Sequence, residues 1–202
     1  MTRRYELKQR AQRQADTRRR ILEATAALHG ERGPAATQIT DIAQRAGVDR
    51  VTVYRHFPDQ ASLLKACSAH YYRAHPLPDP TAWAAIDDPP ERLRHGLQEI
   101  YGYWAQNAAM AANILRDAQV LGHLGVGRRL LTLQRDAVEA LASGWSPADR
   151  HPPALAATIR VAVDFHTWQC LVREQGLTEH RAIELALTWT QCLASIPGTT
   201  PR

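Results

Sequence analysis

The side chains best suited to chemistry in this 202-residue chain stand together in one short run, Arg50-Val51-Thr52-Val53-Tyr54-Arg55-His56-Phe57. If the run is helical, Val48, Val53 and Phe57 bury one side of it. Arg50, Val51, Thr52, Tyr54, Arg55 and His56 are then left outward, a polar and cationic surface that the major groove of DNA accepts. Arginine pairs with guanine edges, and the methyl groups of Val and Thr meet those of thymine. Tyrosine and histidine suit phosphate oxygens. This is the chemistry of recognition rather than of bond breaking.

The elements that must position this surface are legible on either side of it. Upstream lies Ile39-x-x-Ile42-Ala43-x-x-Ala46-Gly47-Val48. A short helix is expected to start near Thr37, whose hydroxyl can cap it, with Ile39, Ile42 and Ala43 turned inward. The small Ala43 permits close helix approach, and Gly47 supplies the positive φ of a tight turn. Asp49 is a good N-cap for the second helix, which runs to His56. Phe57-Pro58-Asp59 then breaks the chain and restarts it into a helix carrying Ala61, Leu63, Leu64 and Cys67. An earlier helix spans about Asp16 to His29, with Ile21, Leu22, Thr25 and Leu28 at helical spacing, and ends at Gly30 and Gly33-Pro34. Before it, Arg3, Arg4, Lys8, Arg10 and Arg13 form either a helical extension or a flexible arm, cationic in both cases.

The stretch Thr37 to Leu64, TQITDIAQRAGVDRVTVYRHFPDQASLL, strongly resembles the DNA-binding region of the TetR family of bacterial regulators, above all in its IA…AGV…YRHF…L core. The resemblance covers residues 16 to 72. It implies a three-helix reader, a fourth helix leading to a ligand domain, and a homodimer on a palindromic operator. Carried onto matching positions, Thr37 belongs to the DNA-binding set, Arg50, Val51 and Thr52 face bases, and Tyr54 and His56 hold the backbone, with Arg55 on the same surface. Gln60 departs from the pattern: a lysine is common there, and an amide donates without bringing charge. The arm resembles a subset with an extended basic N-terminus, in which Arg3 and Arg4 would reach the minor groove.

Charge divides along the chain in agreement with this. Residues 1–73 carry 14 Lys and Arg against 7 Asp and Glu, a net of +7, whereas residues 74–202 carry 11 against 13, a net of −2. The basic part is the part with the reader pattern, as phosphate neutralisation requires. Pro76, Pro78, Pro80, Pro89 and Pro90 mark a compositional shift, which places a basic arm and reader in 1–74 and a helical ligand-binding and dimerisation domain in 75–202. Ala, Arg and Leu are the commonest residues, Gln and Glu add to the helix formers, and alternating β-branched runs are missing, so the fold class is all-α.

In the second domain, helices are expected at about 90–107, 108–122, 125–143, 152–175 and 178–196. Tyr103, Asn107, Met110, Asn113 and Asp117 recur at spacings of three and four and mix aromatic, thioether, amide and carboxylate groups. Such a face is a candidate lining for an unknown small-molecule inducer, or a solvated face with Asp117 paired to a nearby arginine. Asp164, His166 and Trp168 are further candidates. In one continuous helix, positions two apart point about 200° from each other, so Asp164 and His166 are expected to serve separate places. The last helix carries two stripes, Ile183, Leu187, Thr190 and Ala194 on one side and Leu185, Trp189, Cys192 and Ile196 on the other. A homodimer through the last two helices would bury both, as would an intramolecular core.

An enzyme is disfavoured: GxSxG, a P-loop, a dinucleotide fingerprint, HExxH and a Cys–His metal spacing are all missing, so no cofactor or metal is expected. Cys67, Cys170 and Cys192 form no disulfide framework. Neither a signal peptide nor an apolar membrane span is legible, and the chain reads as cytoplasmic.

Overall fold

The computed structural model describes residues 2–145 and 152–194, with side chains over 5–145 and 153–192. Among these residues every regular element is helical. Two compact units form, and the division is not a single cut: Met1–Pro76 is joined by Ala112–Arg128, and Leu77–Ala111 by Arg129–Arg202.

The first unit holds α1 (Thr2–Arg32), α2 (Ile39–Ala46), α3 (Arg50–His56) and α4 (Gln60–Ala74), with the end of α5 (Pro89–Leu121). Of the two forms open to the basic arm, the helical one is found, because α1 runs through it. Residues of high helix propensity and spaced pairs such as Arg19–Glu23 favour this. Ile21, Leu28, Ile42, Val53, Phe57 and Leu63 fill the core of the unit. Thr25 is buried among them because its hydroxyl donates to the Ile21 carbonyl at 2.7 Å.

The second unit contains the beginning of α5, then α6 (Arg128–Ala142), α7 (Pro152–Ala162), α8 (Phe165–Trp168), a π-helical turn (Gln169–Glu174) and α9 (Glu179–Ala194). Trp83, Leu97, Tyr101, Trp104, Phe165 and Trp168 are wholly buried there. Buried Arg92 ties the unit together by donating to the carbonyls of Ile86 and Ser143 at 2.7 and 2.9 Å.

Two features depart from the expected helices. The break expected between residues 107 and 108 is instead a kink inside continuous α5, at Asn107, with φ −123° and ψ 18°. The helix expected over 152–175 stops at Ala162, and Asp164 caps a new one: its carboxylate accepts from the His166 N–H at 2.8 Å. The separation of Asp164 from His166, argued for one unbroken helix, therefore fails. Their side chains meet, with His166 Nδ1 3.2 Å from Asp164 Oδ1.

Candidate nucleic-acid interface

The turn between α2 and α3 is built as its residues demand. Gly47 takes φ 64° and closes α2, and its N–H donates to the Gln44 carbonyl. Arg20 of α1 adds a guanidinium bond to the Ala46 carbonyl at 3.0 Å. Asp49 then starts α3, its carboxylate accepting from the Thr52 N–H at 2.5 Å. This contact holds the Asp49 carboxyl below its usual range. Asp59 repeats the device for α4 by accepting from the Ser62 N–H at 2.7 Å.

With both ends of α3 fixed, Val53 and Phe57 face inward while Val51 stays 73% exposed and Tyr54 44% exposed. Arg50 and Arg55 are also exposed, and His56 is half-buried. Burial, and then the charges of Arg55 and Arg18, lower the His56 pKa and favour its neutral form. Arg18 lies over the Phe57 ring at 4.5 Å, so α1 places a cation beside the end of α3.

Two sequence expectations need correction. Thr52 is buried, not outward: its N–H is held by Asp49 and its hydroxyl accepts from Arg55 Nη2 at 3.1 Å. It therefore sets the direction of Arg55. Thr37 precedes α2 without capping it, since the cap residue is Gln38 and the Thr37 hydroxyl donates to the Gly33 carbonyl at 2.7 Å. Thr37 nonetheless lines an open groove of about 430 Å³ with Thr40, Arg50, Tyr54 and Gln60. The groove collects hydroxyl, guanidinium, phenol and amide donors on one side of the unit, a chemistry suited to backbone phosphates. Arg3 and Arg4 lie on the helical backbone of α1, but their side chains are outside the described residues.

The late part of α5 supports this surface from behind. Asn113 Nδ2 donates to the carbonyls of His29 and Gly30 at 3.0 and 2.9 Å, and Arg116 Nη2 donates to that of Arg32 at 2.9 Å. These are last-turn carbonyls of α1, which have no partner within their own helix. Asp117 accepts from the Ala35 N–H at 2.8 Å and from Arg116 Nε at 2.7 Å. Burial pushes the Asp117 carboxyl up, but the bonds from Arg116 and Ala35 outweigh it and hold the pKa low. Gly33, at φ 92°, passes so close that a Cβ would collide with Arg116 and Asp117.

The expected inducer face is thereby divided. Asn113 and Asp117 spend their polar groups on α1 and its following turn within the first unit, which is the arginine-paired alternative for Asp117. Tyr103, Asn107 and Met110 belong to the second unit, where Tyr103 and Asn107 are buried and Asn107 donates to the Tyr103 carbonyl at 3.0 Å. Asp164, His166 and Trp168 are in that unit too. Sequence reasoning missed Arg18, Arg20 and Arg116, whose partners lie far along the chain.

Known proteins agree with the reader. The family model described as bacterial regulatory proteins, tetR family, matches residues 21–67. The HTH-type transcriptional repressor LfrR of Mycolicibacterium smegmatis is 25% identical over 192 residues, covering 91% of this chain and 93% of that protein. The HTH-type transcriptional repressor Rv3405c of Mycobacterium tuberculosis is 48% identical over 50 residues, 25% of this chain and 27% of that one. In fold, a TetR-family regulator from Rhodococcus sp. superposes with a TM-score of 0.60 at 20% identity, over 89% of this chain and 99% of its own. PfmR from Thermus thermophilus gives 0.56 at 21% identity, over 86% and 96%. No helix among the described residues is long and apolar enough to cross a membrane. Residues 21–67 thus match the DNA-binding region of the tetR family of bacterial regulatory proteins, and the chain reads as a DNA-binding transcriptional regulator rather than an enzyme.

Proposed function

We propose that the protein is a homodimeric repressor that leaves a palindromic operator when a small molecule binds its second unit. The observation that carries this reading is the exposed face of α3, fixed at both ends by Asp49 and Phe57 and backed by cationic α1. Arg50 and Val51 read bases, Tyr54, His56 and Thr37 hold phosphates, and Thr52 aims Arg55. Arg3 and Arg4 add minor-groove contacts from the arm.

Dimerisation is supported by α9. Ile183, Leu187 and Thr190 are buried within the protomer, whereas Leu185 and Trp189 are half-buried and Cys192 is exposed. Ile196, expected on the same stripe, lies outside the described residues. The second stripe is thus left for a partner copy. Two-fold symmetry would set the recognition helices about 34–36 Å apart, one turn of DNA. Repression is the activity that LfrR and Rv3405c carry in their names. Release requires the ligand to bind one conformation better than the other, with a coupling of about 1–3 kcal/mol.

Selection of random duplex DNA by the purified protein tests this reading. A palindrome with half-sites one helical turn apart is the expected product. Recovery of no common sequence, or of a single unpaired half-site, overturns it.

A further inference from the structure

The second unit contains a cluster of aromatic rings with unspent hydrogen-bonding capacity. Trp104 of α5 packs edge-on against Phe165 of α8, with centroids 5.4 Å apart, and Trp168 lies 5.6 Å from the same ring. All three side chains are buried. The indole Nε1 atoms of Trp104 and Trp168 have no hydrogen-bond partner among the described residues. A buried donor without an acceptor is costly, and native interiors seldom keep one, let alone two around a single ring. The contrast with Tyr101 on the same helix is direct, because its buried hydroxyl donates to the Ala162 carbonyl at 3.0 Å.

The backbone is irregular beside each tryptophan. Asn107, three positions after Trp104, leaves helical φ/ψ values, and the π-helical turn starts at Gln169, directly after Trp168. Such interruptions let a helix shift locally without losing its whole ladder. Charge nearby is also selective. The Arg173 guanidinium lies 5.2 Å over the Trp168 ring and disfavours a cation there. The Asp164 carboxylate is already committed to His166 and to Gln134 Nε2 at 3.2 Å.

We infer that Trp104, Phe165 and Trp168 form the recognition site for a planar, uncharged aromatic ligand whose carbonyl oxygens accept from the two indole N–H groups. The inference rests on the ligand-responsive reading above and assigns the chemical class of that ligand. Aromatic faces supply the stacking surface, and the donors reward an acceptor that a plain hydrocarbon lacks.

A matched pair of probes tests it by equilibrium dialysis against the full-length protein: 9-fluorenone, which carries one carbonyl, and fluorene, the same shape without it. Fluorenone is expected to bind about fivefold to tenfold more tightly, as one recovered hydrogen bond implies. In Trp104→Phe or Trp168→Phe the ratio of the two affinities should fall toward unity, since the loss of stacking area is common to both probes and only the carbonyl acceptor loses its donor. Equal affinities for the two probes on the native protein, or binding of neither, overturn the assignment. So does a preference that survives both substitutions. Retention of a selected duplex is measured in parallel. If fluorenone binds with the expected preference and the duplex stays bound, the tryptophan site stands and the ligand-released repressor reading fails.

Discussion

The reader and the aromatic centre of the second unit satisfy their polar groups in opposite ways. Around the reader, the last carbonyls of α1, the Ala35 N–H and the Asp117 carboxylate all find partners, and the ends of α3 and α4 are capped by aspartates. In the aromatic centre two indole donors are unspent among the described residues, where irregularities at Asn107, at Asp164 and over Gln169–Glu174 interrupt the helices. A surface that must present side chains in one geometry to DNA gains from redundancy. A site that must change when occupied gains from bonds left to be made.

The largest expected effect lies in the reader's buried support. His29 is buried beside Cys67, its Nδ1 3.8 Å from the Sγ. Burial pushes its pKa down to about 4, against the opposing pull of the Asp117 charge. The unfolded chain binds the proton near pH 6.5, so the neutral side chain contributes fully above that value. Its contribution is lost as pH falls through 4, with about 3 kcal/mol at stake. Urea unfolding across this range should show the loss, and His29→Gln should flatten it; identical profiles would remove His29 as the cause.

Asp117→Ala comes next. It strips the Ala35 N–H and Arg116 of their shared acceptor and should cost about 2 kcal/mol in urea unfolding. A neutral result would mean that the reader's support is less well determined than its geometry suggests.

Within α3 the comparison sharpens to single contacts. Arg50→Ala should cost about 1–3 kcal/mol and relax base preference at particular operator positions, whereas Tyr54→Ala should weaken binding uniformly by about 1 kcal/mol. Competition among single-base operator variants distinguishes the two, and exchanged phenotypes would reverse the assignment. Hydrogen exchange compares the two regions directly: amides of Gln169–Glu174 should exchange at least about tenfold faster than those of α2. The smallest expected effect is that of Gln60→Lys, which should tighten operator binding a few-fold and steepen the salt dependence by about one charge.

How far each region could be read from the sequence follows from the range of its interactions. Gly47, Asp49 and Asp59 act on neighbours within a few positions, so the turn, the Asp49 cap and the restart at Phe57-Pro58-Asp59 were legible, while the capping role of Asp59 itself came from the structure. Asn113 and Asp117 bond to residues more than 80 positions away, and spacing on α5 alone suggested a ligand face instead. The break at Asp164 was hidden because the surrounding residues suit a helix. The signal was present in Asp164 itself, a strong N-cap residue, fixed in place by Gln134 of α6. Thr52 escaped because its hydroxyl is engaged by Arg55 of the same helix, a contact that outward-facing periodicity does not reveal.

The most direct test is titration of a selected operator duplex at two salt concentrations, with the mass of the complex measured by sedimentation. Two protomers per palindrome are expected, with affinity falling by about 10³ or more between 50 and 200 mM salt, as six or more phosphate contacts require. One protomer per duplex, or binding indifferent to salt, would contradict a dimeric reader built on the basic first unit.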